Sequence, residues 1–179
     1  MTVLITPSEK LPSANNIVEF ENKISAKLPD DYVEFIKKYG DGRPEDNKFY
    51  PNDHVYVRKF LSIFSDSKYD YIIGKLNNIN SMDDDRIPRN FIPIADDDFG
   101  NYILLDLVTG SIWFWDHELD GSEPERPDDK PYIKIAQDFK RFFDSLVPVD
   151  GEKLPKAKFV VTKIDPEFAK KFGIKIKPG

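Results

Sequence analysis

The chain has no cysteine, and only two histidines, two methionines and two tryptophans in 179 residues. Without cysteine there are no disulfides, no thiolate zinc sites and no cysteine nucleophile. His54 and His117 stand far apart in the chain. With scattered carboxylates they make a poor start for a metal site, which needs three or four ligands. No glycine-rich loop of the phosphate-cradling kind is present, and no glycine-flanked serine. No run approaches the roughly 20 apolar residues of a membrane span, and the N-terminus lacks the basic and apolar regions of a secretory signal. These absences predict a cytoplasmic protein that makes no use of a membrane. Positive charge is also short, with 26 Lys and Arg against 32 Asp and Glu, a net −6. An acidic surface argues against direct nucleic-acid binding and suits a basic protein partner.

Hydrophobic residues make up 40% of the chain and aromatics 13%. That composition is globular, and the length fits one domain with a short appendage. The most patterned stretch runs from Phe91 to Glu118. Phe91 to Ala95 is a short apolar run containing Pro93. Asp96 to Asn101 is a turn. Tyr102 to Leu107 alternates, with Ile103, Leu105 and Leu107 on one face and Tyr102, Leu104 and Asp106 on the other. After a turn at Val108-Thr109-Gly110, the segment Ile112 to His117 alternates again. It sets Trp113, Trp115 and His117 opposite Ile112, Phe114 and Asp116. Strands this aromatic, joined by turns this short, predict antiparallel hairpins. Apolar residues on both faces predict that helices or loops also cover part of the second face.

The flanks read as helices and loops. Residues 1–15 are polar, carry Pro7 and Pro12, and are expected to form a flexible lead-in. Ile17, Phe20, Glu21, Ile24 and Leu28 recur at helical spacing, with Asn15 or Asn16 as the expected cap. A second helix follows Leu28-Pro29. Asp30 and Asp31 suit its start, Lys37 and Lys38 its end, and Gly40 stops it. Asp41 to Asp53 reads as loop, and Val55 to Ile63 as a strand. Tyr69, Ile72, Ile73 and Leu76 suggest a third helix within Asp66 to Ser81, weakened by Gly74 and three asparagines. Leu119 to Pro131 is a polar loop. Tyr132 to Ile135 is a strand, and Phe139, Phe142, Phe143 and Leu146 make a last helical stripe behind Asp138. Beyond Gly151 the charge reverses. Residues 152–179 hold eight lysines against Glu152, Asp165 and Glu167, a net +5 that leaves −11 on residues 1–151. Within this basic extension, residues 151–179, Phe159 to Ile164 reads as a strand and Asp165-Pro166-Glu167 as a helix start. The lysines are expected to lie near the acidic body. Residues 16–150 form the expected domain, α+β with a mostly antiparallel sheet.

Several short motifs then fall in a particular order. They are Leu28-Pro29-x-Asp31-Tyr32-x-x-Phe35, Tyr39-Gly40-Asp41-Gly42, Ile92-Pro93-Ile94-Ala95, Gly100-Asn101, a Leu-Asp strand, Trp113-Phe114-Trp115-Asp116-His117 and Ile135-Ala136-x-x-Phe139. In this order the chain, from about Ile17 to Leu146, resembles the SUKH superfamily, bacterial toxin-immunity proteins related to a fungal regulator of cell-wall synthesis. Many members end the second helix with Asn-Gly-Gly, where this chain has Tyr39-Gly40-Asp41-Gly42. The resemblance implies a binding protein rather than an enzyme, one that neutralises a cognate toxin domain, often a nuclease, by direct contact. A regulatory or scaffold protein of the same fold is the alternative. The residues alone leave a third reading, a hydrolase using Asp116 and His117.

With an immunity function in view, the acidic clusters become candidate partner-binding residues. They are Asp83, Asp84 and Asp85, then Asp96, Asp97 and Asp98, then Asp116 with Glu118. Each also reads as a solvated turn, since Asp is a common turn residue. If the turns converge, they form a negative patch matched to the basic cleft of a nuclease. Trp113 and Trp115 are the candidate aromatic anchors. Asp96 to Asn101 lacks the spacing of a calcium loop, because Gly100, Asn101 and Leu107 stand where ligands or the loop glycine belong. No catalytic residue, metal or cofactor is expected.

Overall fold

The computed structural model describes residues 3–52, 54–65, 70–80, 86–119 and 130–148. The fold is α+β with antiparallel strand pairing. Asp83, Asp84, Asp85 and the whole basic extension lie outside the described residues. So do its expected strand, its expected helix and its expected approach to the acidic body.

Helix α1 (Ala14–Ile24) begins two or three residues earlier than a cap at Asn15 or Asn16 would set it. Ser13 is the cap, and Asn16 closes a reciprocal capping box. Asn16 N–H donates to Ser13 Oγ at 3.2 Å, and Ser13 N–H donates to Asn16 Oδ1 at 3.0 Å. The helix ends at Ser25, whose φ of 53° is left-handed. A tight corner leads into helix α2 (Asp30–Tyr39), which has Asp30 and Asp31 in its first turn and Gly40 at its end. The corner is held from inside by Glu21. Its buried carboxylate accepts the Leu28 N–H at 3.1 Å and pairs with Lys27.

The central sheet is a meander of five strands in the order β4-β5-β6-β7-β8. These are β4 (Lys59–Phe60), β5 (Phe91–Asp96), β6 (Tyr102–Asp106), β7 (Ile112–Trp115) and β8 (Tyr132–Ala136). The register sets Ile103 opposite Phe114 and Leu105 opposite Ile112 on one face. Tyr102 pairs with Trp115 and Leu104 with Trp113 on the other. Pro93 sits inside β5, where a proline removes a ladder donor. The register of β5 on β6 shifts between Pro93 and Ala95, and a bulge of this kind accommodates the missing N–H.

Both faces of the sheet are buried, as the two-sided apolar pattern predicts. The first packs on α1, α2 and α4 (Phe139–Asp144), which is capped by Asp138. Its centre is aromatic. The Phe35 ring lies 4.5 Å from Phe60 and 4.8 Å from Phe139, centroid to centroid. The second face carries Leu104 and Trp115 under Ile79 of α3 (Ile72–Asn80) and under Ile87. Stripes of large apolar side chains at 3.6- and 2-residue periods leave few other ways to bury so much surface.

The N-terminal expectation is corrected. From Val3 onward the segment expected to be a flexible lead-in is tied to the domain. Val3 is buried, and β1 (Ile5–Thr6) pairs with β2 (Arg43–Pro44). Leu4 N–H donates to Asp46 Oδ2 at 2.9 Å, and Ser8 N–H to the Tyr39 carbonyl at 2.9 Å. Part of the Asp41 to Asp53 loop is likewise strand. β3 (Lys48–Phe49) pairs with β9 (Leu146–Val147) just beyond α4. Of the strand expected over Val55 to Ile63, only Lys59 and Phe60 form ladder pairs, although Val55, Val57, Leu61 and Ile63 are also buried.

Candidate partner-binding surface

One end of the sheet gathers the β5–β6 turn, the end of β7 and the start of β4. The sequence places Asp96 to Asp98, Asp116 and Glu118 here, and the structure sorts them into two groups. Asp96 is 3% exposed. Its Oδ2 pairs with the Arg58 guanidinium and lies 3.5 Å from Lys75 Nζ. Asp97 is 4% exposed and serves its own turn. Oδ1 accepts the N–H groups of Phe99 and Asn101, both at 2.8 Å, and Oδ2 accepts Asn101 Nδ2 at 2.9 Å. Asp98 and Glu118 are exposed and Asp116 is half-buried. Arg58 Nε approaches Asp98 Oδ1 at 3.7 Å, so part of this charge is offset at the surface.

The turn is fastened to β7 by a chain of polar contacts. Asn101 gives its NH2 to Asp97, which turns its Oδ1 toward His117. That oxygen accepts the His117 N–H at 3.2 Å and lies 3.0 Å from His117 Nδ1. An amide oxygen only accepts, so Nδ1 carries the hydrogen. Gly100 lies against the same ring with φ of 95°. A Cβ built there would stand 3.2 Å from His117 Cε1, a tight contact that adds to the left-handed φ, which itself favours glycine.

This geometry leaves the hydrolase arrangement unassembled. Asp116 Oδ1 accepts the Glu118 N–H at 3.0 Å, a local turn contact, while His117 faces an amide. A general base of the Asp-His kind needs the carboxylate on the imidazole. Among the described residues no group of three or more His, Asp or Glu side chains gathers in a way that could hold a metal ion.

The tryptophans are placed differently from the anchor expectation. Trp115 is 2% exposed, stacked between Tyr102 at 5.8 Å and Tyr132 at 6.4 Å, with the Arg86 guanidinium 5.3 Å from its ring. It is a core residue of the second face and has no accessible surface to offer a partner. Trp113 is half-buried. It stands edge-on to Phe91 at 5.7 Å, and its Nε1–H donates to Ser111 Oγ at 2.9 Å.

The exposed aromatic at this end is Phe99, at 72%. Sequence reasoning passed over it as one letter in an acidic turn. The signal was available, since an apolar residue inside Asp96-Asp97-Asp98-Phe99-Gly100-Asn101 has no strand alternation to bury it.

A concavity of about 270 Å³ lies between α2 and α4. Phe35, Tyr39, Phe139 and Phe143 form part of its lining. Its rim is largely self-paired, with Lys140 bridging to Asp144 and Lys140 N–H donating to Asp31 Oδ2 at 2.9 Å.

Among the described residues no helix is long and apolar enough to cross a membrane. Residues 11–145 match the family described as SMI1 / KNR4 family (SUKH-1). The SPbeta prophage-derived uncharacterized protein YokK of Bacillus subtilis (strain 168) is 36% identical over 164 residues, covering 80% of this chain and 82% of that protein.

Proposed function

The chain belongs to the SMI1 / KNR4 family (SUKH-1), and from that premise we propose that it is a non-catalytic binding protein that neutralises a polymorphic bacterial toxin domain by direct contact. The observation that carries this reading is the family match, which spans residues 11–145 and so takes in the whole five-stranded sheet and the helices on both its faces. Two physical features support it. Residues 1–151 carry −11, which suits a basic partner such as a nuclease domain. The sheet end presents exposed carboxylates and an exposed aromatic on a fastened turn. The site of action is the cytoplasm of the cell that makes both proteins.

The test is co-expression with the C-terminal domain of a secreted toxin, taken from a toxin gene found beside the gene for this chain. Protection of growth and a purified complex that inhibits the toxin's activity are expected. A toxin that kills equally with and without this protein, and forms no complex with it, overturns the reading.

A further inference from the structure

Resting on that binding function, the geometry points to Phe99 as the central anchor of the interface, inserted into an apolar pocket of a basic protein partner whose rim carries lysine or arginine. An exposed phenyl ring is useful as an anchor only if its position is set before contact, because ordering a loop on binding consumes affinity. Here the position is set. Asp97 clamps the turn on both sides of the ring through the Phe99 and Asn101 N–H groups, and Asn101 fastens it to β7 through His117. The Phe99 ring, 72% exposed, therefore stands on a braced hairpin rather than a free loop.

The surroundings select the partner's chemistry. Asp98 immediately precedes Phe99 and is only partly offset by Arg58 at 3.7 Å, and Asp116 and Glu118 follow the strand end to which the turn is fastened. A pocket that took the ring would bring its rim against these carboxylates, where cations gain and further carboxylates are repelled. Val108 offers a contrast. It is 79% exposed in the β6–β7 turn, and Asp106 holds that turn in a similar way. Its side chain is smaller, however, and its neighbours Thr109 and Gly110 are neutral, so it supplies neither the area nor the charge.

The measurement is association and dissociation kinetics against a purified toxin domain from a gene beside this chain's own, at low and high salt. Wild type, Phe99→Ala, Phe99→Leu, Val108→Ala and the double charge reversal Asp98→Lys with Glu118→Lys are compared. Each variant is first matched to wild type in melting temperature and circular dichroism. Phe99→Ala is expected to weaken binding about 30-fold or more, mainly by faster dissociation, with Phe99→Leu between the two. The charge reversal is expected to slow association and flatten its salt dependence, and Val108→Ala to bind as wild type does. Phe99→Ala binding within about threefold of wild type overturns the anchor while leaving the function in place. A wild type that binds no toxin overturns both.

Discussion

Asn101 Oδ1 and His117 Nδ1 lie 3.0 Å apart, and this contact joins the β5–β6 turn to the end of β7. The same amide donates its NH2 to Asp97, so its orientation is fixed from both sides. The turn and the strand end therefore behave as one unit, although fifteen residues separate them in the chain.

Gly100→Ala tests that unit. Alanine resists the φ of 95°, and its Cβ would press on the His117 ring at 3.2 Å. A loss of about 1–3 kcal/mol is expected in urea denaturation. Phe99→Ala, one residue away, is expected to stay within about 0.5 kcal/mol of wild type, because its ring is in solvent. Equal effects of the two substitutions would mean that the ring, and not the backbone, supports the turn.

Glu21 gives a pH dependence. Burial by itself raises its pKa, but hydrogen bonding to Lys27 and to the Leu28 N–H outweighs burial and holds the carboxyl below its ordinary value of 4.5. A depressed carboxylate contributes stability that is fully present above the unfolded-state value and is lost as pH falls through the folded one. The wild-type urea midpoint should therefore decline below about pH 4.5. Glu21→Gln should be less stable by about 1–3 kcal/mol at neutral pH and should lose less on acidification. Parallel stability curves for the two proteins across the acid range would show that Glu21 plays no part in the acid sensitivity.

Removal of residues 1–8 tests the N-terminal correction. It takes away the buried Val3, the β1–β2 pairing and the Ser8 contact to the end of α2. It also opens the approach of Thr6 to Gly42, where a built Cβ would meet the Thr6 carbonyl at 2.7 Å. Burial of one valine and a few hydrogen bonds is worth about 2–4 kcal/mol, so a clear fall in melting temperature is expected. An unchanged melting curve would restore the segment to the status of a flexible lead-in.

Apolar patterning, with the turn and cap residues, determined the helices among the described residues, the three central strands and the expectation that part of the second sheet face is covered. Each is a local repeat of apolar residues, and a sheet buried on two sides writes itself into consecutive letters such as Ile103-Leu104-Leu105. Composition likewise determined the acidic body and the lack of thiol chemistry. The pairings β1–β2 and β3–β9 were not legible, because a two-residue strand has no period and its partner lies tens of residues away. Which of the aspartates is drawn inside the fold was decided by tertiary structure. Asp96, Asp97 and Asp98 are identical letters in a row, yet Arg58 and Lys75 draw the first inward, turn N–H groups occupy the second, and the third faces solvent. The aromatics followed the same rule. Strand alternation put Trp115 on a face, but only α3, Ile87 and Arg86 packing over that face made it core, whereas Phe99 stands outside on a turn that its near neighbour Asp97 holds locally.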